Sequence, residues 1–553
     1  MSYFRRRDAA TRLVGFIPAL FLLVLSAPLH AAEFYNDWAA AHLSSFPSQS
    51  GPTNDPDSDG VANLAEFAFG TDPVVSDGLG SAIVALPPQT NGVFQVEIFE
   101  RAGHKSGVQI DLDATADLTH WFRPWWLREL TNSLPEDPTN SVRELFTTYM
   151  PDTNIFFVRG VIKLLEAGPE TANYYVATNG SDSASGTSTN TPFRSVHKAH
   201  SVANPGNLIY VRGGTYATNA LLTISRNGSA ASPIRLRAYP GEHPILDYSS
   251  QSLGDSNRGI LLSASWWRIY GLEIMGAGDN GMEITGKSNI VELCVFHDNR
   301  DTGLQIASPG ASNAVINCDS YHNNDATSEN ADGFAPKLAG LGKDNAFFGC
   351  RSWENADDGW DMYAAPNPVY IENCWAFRNG HFGTSGDRNG IKLGGTGGGA
   401  SHHIVNCLSF HNPHHGYDQN NNSLAQTLDN CTAWANGTAI GGSGHNFNLN
   451  HGPVVAHILR NNLSINGTIN TNTISTLISN SWQVVTSPDP SVSDVLSTNE
   501  AYALFPRRDD GSLPETPFMR PVPAGRLVDQ GTNIGAAFNG SAPDLGAFET
   551  PVW

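Results

Sequence analysis

The sequence predicts an all-β chain: a right-handed parallel β-helix over residues 171–553, preceded by an EF-hand-like calcium loop and a small β-sandwich. Three observations carry that reading. Six cysteines recur at intervals of 24, 32, 24, 33 and 24 residues, each followed five positions later by Asn. A second ruler of Gly plus a large apolar residue runs through the same stretch. Turn formers are abundant, with 54 Gly and 33 Pro, and charged residues make up only 15% of the chain, against roughly 25% in ordinary globular chains.

From the start of the chain, Arg5, Arg6 and Arg7 precede an apolar run from Leu13 to Val24, with small residues at Ala31 and Ala32. That order reads as an export signal over 1–32, so a secreted protein, extracellular or periplasmic, is expected, with no membrane insertion after its removal. In the segment 33–80, Asp55, Asp57, Asp59, Asn63 and Glu66 stand at positions 1, 3, 5, 9 and 12 of a calcium loop with Gly60 at position 6. Oxygen ligands at those places around a Gly turn are what Ca2+ takes in an EF-hand. Residues 81–170 alternate as strands do, for example Val93–Phe99 and Ile155–Val161, and read as a sandwich accessory module. Trp121, Trp125 and Trp126 are expected in its core rather than on a sugar platform. After Tyr174 a short helix with Phe193, Val196, Ala199 and Val202 on one face precedes Leu208–Val211. A cap of this kind is what the exposed end of a solenoid requires.

The cysteines at 294, 318, 350, 374, 407 and 431 are followed by Asn299, Asn323, Asn355, Asn379, Asn412 and Asn436. Aromatic residues stand three after five of them: Tyr321, Trp353, Phe377, Phe410 and Trp434. Units of 20–50 residues holding strands and turns, without helical periodicity, stack as a β-helix, right-handed as parallel crossovers are. Stacking sets equivalent residues roughly 4.8 Å apart. The Asn column can then form an amide ladder, and the Cys column is expected to be free thiols, because a disulfide wants Cβ atoms roughly 3.5–4.5 Å apart.

The Gly ruler reads Gly281-Met, Gly303-Leu, Gly333-Phe, Gly359-Trp, Gly390-Ile and Gly416-Tyr. With the apolar residue inward, the column two after Gly is expected to face solvent: Glu283, Gln305, Ala335, Asp361, Lys392 and Asp418. The column before Gly reads Asn280, Thr302, Asp332, Asp358, Asn389 and His415. Asp332, Asp357, Asp358, Asp361 and Lys392 therefore gather on one face. Carboxylates so close repel unless a cation sits among them, and a hard cation such as Ca2+ suits an oxygen-only set. His411, His414 and His415 read as turn polarity rather than a metal tract. A net charge of -21 repels nucleic acid and anionic membranes, so an acidic polymer needs local cations or a bridging metal.

Four segments resemble polysaccharide lyase family 9, the pectate lyase family with a right-handed parallel β-helix. They are Asp332-Gly-Phe-Ala-Pro-Lys337, the run Gly349 to Asp361, Asn389-Gly-Ile-Lys-Leu-Gly-Gly395, and Phe296 to Ile306. The resemblance covers about 174–550, including Ala542 to Glu549, and departs where Ile391 takes a place associated with Phe. It implies a catalytic Ca2+ on Asp332, Asp357, Asp358 and Asp361, and Lys392 as the base that removes the C5 proton of a 4-linked uronate, with polygalacturonate the expected polymer. Arg300, Lys337, Arg351 and Arg388 are the expected substrate-carboxylate clamps, Arg388 through sharing a strand face with Lys392. The expected partner is an acidic polysaccharide, met by a monomer. Two other readings stand beside this one: a polygalacturonase-type hydrolase using the Asp residues as general acid and base, and a non-catalytic solenoid, polysaccharide-binding or adhesin, stiffened by calcium.

Overall fold

The computed structural model describes residues 171–550 apart from 383–384, 396–398, 439–441, 509–510 and 536–537, together with backbone strands between residues 24 and 164. Backbone contacts divide the chain into two units, one ending at Glu170 and the other spanning Thr171–Thr550. In the first, Ile83–Leu86, Val93–Arg101, Ser141–Tyr149 and Leu130–Ser133 form an antiparallel four-stranded sheet, and Val108–Thr115 pairs antiparallel with Phe157–Leu164. The expected export signal apart from Val24–Ser26, the calcium-loop ligands Asp55, Asp57, Asp59, Asn63 and Glu66, and the three tryptophans of that unit lie outside the described residues.

The second unit is a right-handed parallel β-helix made of one twelve-stranded and two ten-stranded parallel sheets. Each coil visits them in the same order, as in Ala314–Ile316, Asp319–Tyr321 and Phe334–Pro336. Below they are the long sheet, the aromatic sheet and the groove sheet. Strands of two to five residues suffice because every rung pairs above and below, which satisfies each backbone N–H and C=O. The helix Val196–Val202 covers the first coil; Ser195 Oγ accepts from Lys198 N at 3.1 Å as its N-cap, and Phe193, Val196 and Ala199 are buried.

Turns are held by side-chain columns. Along the turn between the aromatic and groove sheets, Asn299 Nδ2 donates to Asn323 Oδ1 (2.9 Å), Asn323 to Asn355 (2.8 Å), Asn355 to Asn379 (2.9 Å) and Asn379 to Asn412 (3.3 Å). The six thiols are free and buried at the turn before the aromatic sheet. Backbone N–H groups there donate to sulfur of the next rung, Cys350 to Cys374 Sγ at 3.3 Å. The column ends by exchanging Cys for Asn462 and Asn480. The Gly ruler is steric as well as inward-pointing: a Cβ on Gly303, Gly333 or Gly390 would stand 2.0, 2.0 and 2.1 Å from the hydroxyl of Ser320, Ser352 or Ser409. A third column, Asn289, Asn313, Asn345, His402, Gln426 and His457, closes the turn into the long sheet. It escapes a search for repeats because its residue type changes from rung to rung.

The aromatic column faces outward. Tyr321, Trp353, Phe377, Phe410 and Trp434 stack with centroids 4.4, 5.7, 4.8 and 5.7 Å apart. Left bare, its upper part would expose a large apolar stripe. The C-terminal segment lies over it, burying Val485, Val495, Phe518, Met519, Leu527 and Leu545 against Phe377, Phe410 and Trp434.

Candidate functional site on the groove sheet

The sequence-derived columns come into register here. Asp361 pairs with Lys392, and Lys392 with Asp418, as neighbours on successive strands. Asp358 N donates to Asp332 Oδ1 (3.1 Å), Asn389 N to Asp358 Oδ1 (2.6 Å), and His415 N to Asn389 Oδ1 (3.0 Å). Each carboxylate is thus fixed by the backbone of the rung above it. The expectation that the column two after Gly faces solvent is corrected. Glu283, Gln305, Asp361, Lys392 and Asp418 are all less than a tenth exposed. They point away from the core, but neighbouring turns and their own long side chains close over them, so the column forms a groove floor.

Asp332, Asp357 and Asp358 each bring a carboxylate oxygen within 4.8 Å of the others. Asp357 Oδ1 accepts from Asp387 N (2.6 Å) and Arg388 N (3.0 Å). Asp361 stands beside the trio, its Oδ2 3.2 Å from Lys337 Nζ and its Oδ1 3.4 Å from Lys392 Nζ. Lys337 also holds Asp332 Oδ2 at 2.7 Å. Lys392 Nζ is 3.2 Å from Asp358 Oδ2 and 2.8 Å from Asp387 Oδ2. Five carboxylates therefore surround two ammonium groups.

The electrostatics follow from burial and crowding. Burial, then the neighbouring Asp332, pushes Asp357 up to about 8. Burial raises Asp332 to about 6 against the pull of Lys337. Asp358 rises further, through burial and Asp357. Burial disfavours the Lys392 ammonium, but Asp358, Asp361, Asp387 and Asp357 outweigh it and hold its pKa above the usual lysine value. These are the shifts of an anionic pocket short of positive charge. Asp358 Oδ2 is buried and receives no hydrogen bond, its approach to Lys392 being an ion pair without hydrogen-bond geometry. An oxygen-only trio with such an orphan fits a hard cation such as Ca2+.

The proposed clamps separate. Lys337 belongs to the cluster. Arg300 is exposed in the turn one rung earlier, lining a cleft of about 350 Å³ with Gln251 and Asp298. Arg388 does not share a strand face with Lys392: the strand is only Ile391–Lys392, and Arg388 sits before it in a turn at φ 57°, its stem against Gly380. Arg351 lies on another sheet. It grips Asp319 with Nε and Nη2 (2.9 and 2.8 Å) and donates from Nη1 to the carbonyls of Ala503 and Phe505 (2.9 and 2.8 Å), while Arg507 takes the other side of Asp319. Burial alone would raise the Asp319 carboxyl, but Arg507 and Arg351 hold it below the usual range. Arg351 thus fastens the C-terminal segment to the aromatic sheet. Arg351→Ala is expected to cost about 3 kcal/mol, the low end for opening a buried ion pair because Arg507 remains. Denaturant melts of the variant should show that loss with KM unchanged; a raised KM at wild-type stability would return Arg351 to the groove.

Two groups have no signal in the spacing. Asp387 comes from an irregular loop five residues before Lys392, where Asn420 Nδ2 donates to its Oδ2 at 2.8 Å. Tyr363 presents its ring 5.7 Å from Lys392 Nζ and is 37% exposed. The three histidines also part company. His411 pairs with Glu500, His414 Nδ1 donates to Asp387 O, and His415 alone turns toward Asp418 and His451.

Residues 174–462 match the family described as Pel9A-like, right handed beta helix region. The chain is 39% identical over 392 residues to pectate lyase L of Dickeya chrysanthemi, covering 68% of this chain and 90% of that one. It is 33% identical over 411 residues to pectate lyase PEL9 of Emericella nidulans, covering 67% and 96%. Among solved structures, pectate lyase Pel9A superposes with a TM-score of 0.63 at 36% identity, over 68% of this chain and 96% of that one. A rhamnogalacturonan lyase gives 0.57 at 26% identity, over 63% and 96%.

Proposed function

The chain belongs to polysaccharide lyase family 9 and is a polysaccharide lyase, and we propose that it cleaves a 4-linked polyuronate of the pectate type by β-elimination at Asp332, Asp357, Asp358, Asp361 and Lys392. Kinship with lyases replaces the hydrolase and adhesin readings. The observation that carries the proposal is Lys392: a buried amine at the end of a groove strand, one register step from Asp361 and 3.2 Å from Asp358.

In a 4-linked uronate the C5 proton is α to the carboxylate. Lys392 Nζ, in the neutral form that a cation among the Asp residues favours, takes that proton; the C4–O4 bond breaks, O4 leaves on the other fragment and gains a proton from water, and a 4,5-unsaturated end remains on one product. Ca2+ held by Asp332, Asp357, Asp358 and Asp361 would neutralise the substrate carboxylate and the charge that develops on it. Lys337 orients Asp332 and Asp361 by donating to both, and Asp387 orients the Lys392 amine. Tyr363, half-exposed beside Lys392, supplies an apolar face for a sugar ring. Arg300, in the turn before the groove strand three rungs below that of Lys392, is placed to meet a second carboxylate of the polymer. The N-terminal segments complete the proposal as an export signal, a structural calcium loop and an accessory module on a secreted protein. Among the described residues no helix is long and apolar enough to cross a membrane.

A panel of polygalacturonate, methyl-esterified pectin, rhamnogalacturonan and alginate, with and without chelator, tests the substrate. Ultraviolet absorbance of unsaturated uronate should rise with polygalacturonate and vanish under chelation. Rhamnogalacturonan or alginate as the preferred polymer would overturn the substrate, and undiminished turnover in chelator would overturn the metal.

A further inference from the structure

The groove continues below the carboxylates, along the floor strands that precede them. From Lys392 the floor passes Asp361 and Ala335 and reaches Gln305 on the third strand down, about 14 Å away at roughly 4.8 Å per rung. A 4-linked pyranose repeat is close to one rung in length, so rungs and sugars keep pace. We propose that Gln305 and Arg300, on that one coil, form a remote subsite for a uronate about three sugars from the bond that is cut; this rests on the lyase reading above. Arg300 takes the carboxylate and Gln305 the ring hydroxyls, and together they set how strongly the protein prefers long chains to short ones.

Two uncommitted side chains carry the argument. Gln305 is 8% exposed and points outward in register with Glu283 and Ala335, and its amide makes no hydrogen bond among the described residues. A buried amide without a partner is costly until water or a ligand completes it. Ala335 offers no polar group, so Gln305 is the first polar residue of the floor below Asp361. Arg300 stands exposed in the turn that leads into the same strand and has no ion pair among the described residues. Lys337 and Lys392, by contrast, are each shared between groove aspartates. In a chain of net charge -21, a cation without a partner beside the groove is what a polyanion requires.

The cleft around Arg300 is held in shape by its own contacts. Gln251 Oε1 accepts from Gly278 N and its Nε2 donates to Arg258 O, both at 3.0 Å, which fastens the wall of residues 249–258 to the next coil. Leu253 on that wall is 62% exposed and gives a sugar ring an apolar side, within about 350 Å³. Asp298, the carboxylate that lines the cleft, is held by His297 at 2.6 Å. One coil further down, Arg258 pairs with Glu283 and Asp279, so the charges of the floor there are already answered. The ordinary alternative is that Arg300 is a solvated turn cation and Gln305 a hydrated amide.

The two are separated with the galacturonate trimer, too short to reach from the cut bond to Arg300, and the octamer, using the full chain in saturating Ca2+. Unsaturated product is followed by its ultraviolet absorbance, and the readout is the octamer-to-trimer ratio of kcat/KM. Arg300→Ala is expected to lower that ratio at least about tenfold, or ~1.4 kcal/mol, and Gln305→Ala about threefold. Arg300→Lys keeps the charge without the planar fork and should fall between wild type and Arg300→Ala. A role confined to folding lowers both rates alike, so an unchanged ratio in Arg300→Ala would overturn the proposal, as would a wild-type ratio near unity. Absence of unsaturated product from both oligomers with wild type would instead overturn the lyase reading, and this subsite with it.

Discussion

Lys392→Ala is expected to lower turnover by about 10²–10⁴-fold, the usual worth of a positioned general base, while the chain still folds and binds calcium. The residue is buried at a strand end, and its ammonium is wedged between Asp358, Asp361 and Asp387. Truncation removes a positive charge from an anionic pocket, so calcium affinity should hold or rise. That split, with kcat lost and calcium retained, is what a base predicts and a structural lysine does not. Lys392→Arg should fare little better, since guanidinium stays protonated. A free lysine has a pKa of about 10.4, and the surrounding carboxylates move Lys392 higher still. Activity should therefore climb with alkaline pH across the range where wild type remains folded. Near-wild-type kcat in Lys392→Ala on polygalacturonate would remove it from the role. Arg351, fastened to Asp319 on another sheet, could not inherit it.

What was legible in the sequence is what the β-helix repeats. Cys, Asn and Gly columns survive insertions of variable length because each occupies a place where only its own size or amide fits, as the Ser352 hydroxyl facing Gly333 shows. The gathering of Asp332, Asp358, Asp361 and Lys392 follows from those columns by register alone. What was not legible depends on loops and on exchange of residue types. Asp387 reaches Lys392 from a segment with no repeat. The column from Asn289 to His457 mixes amide and imidazole, which both accept from the backbone N–H of the preceding rung. Arg388 was placed by assuming a strand that is two residues long. Arg351 looked like a groove cation because one-dimensional spacing does not say that a distant C-terminal segment covers the aromatic sheet.

Asp357→Asn should move stability in opposite directions with and without calcium. In the metal-free protein the Asp357 carboxyl is pushed up to about 8 by burial and Asp332, from about 3.9 in the unfolded chain. A raised acid contributes stability that is present below the unfolded pKa and lost as pH rises through the folded one. Metal-free wild type should therefore lose stability progressively between about pH 4 and pH 8, with Asp332 adding to the lower part of that window. Asparagine keeps the oxygen that accepts from Asp387 N and Arg388 N and stays neutral at every pH. At pH 9 without metal the variant should melt a few degrees above wild type, about 2–3 kcal/mol for a unit of this size, and the gap should close toward pH 4. Saturating calcium should reverse the order, because wild type gains linkage stabilisation that a variant missing one carboxylate gains less of. Turnover should fall with calcium affinity, by at least about tenfold. Thermal melts at pH 4, 6 and 9, with calcium and with chelator, read every part of this. A variant less stable than wild type at pH 9 in chelator would mean that the trio does not repel, and the case for a cation among Asp332, Asp357 and Asp358 would go with it.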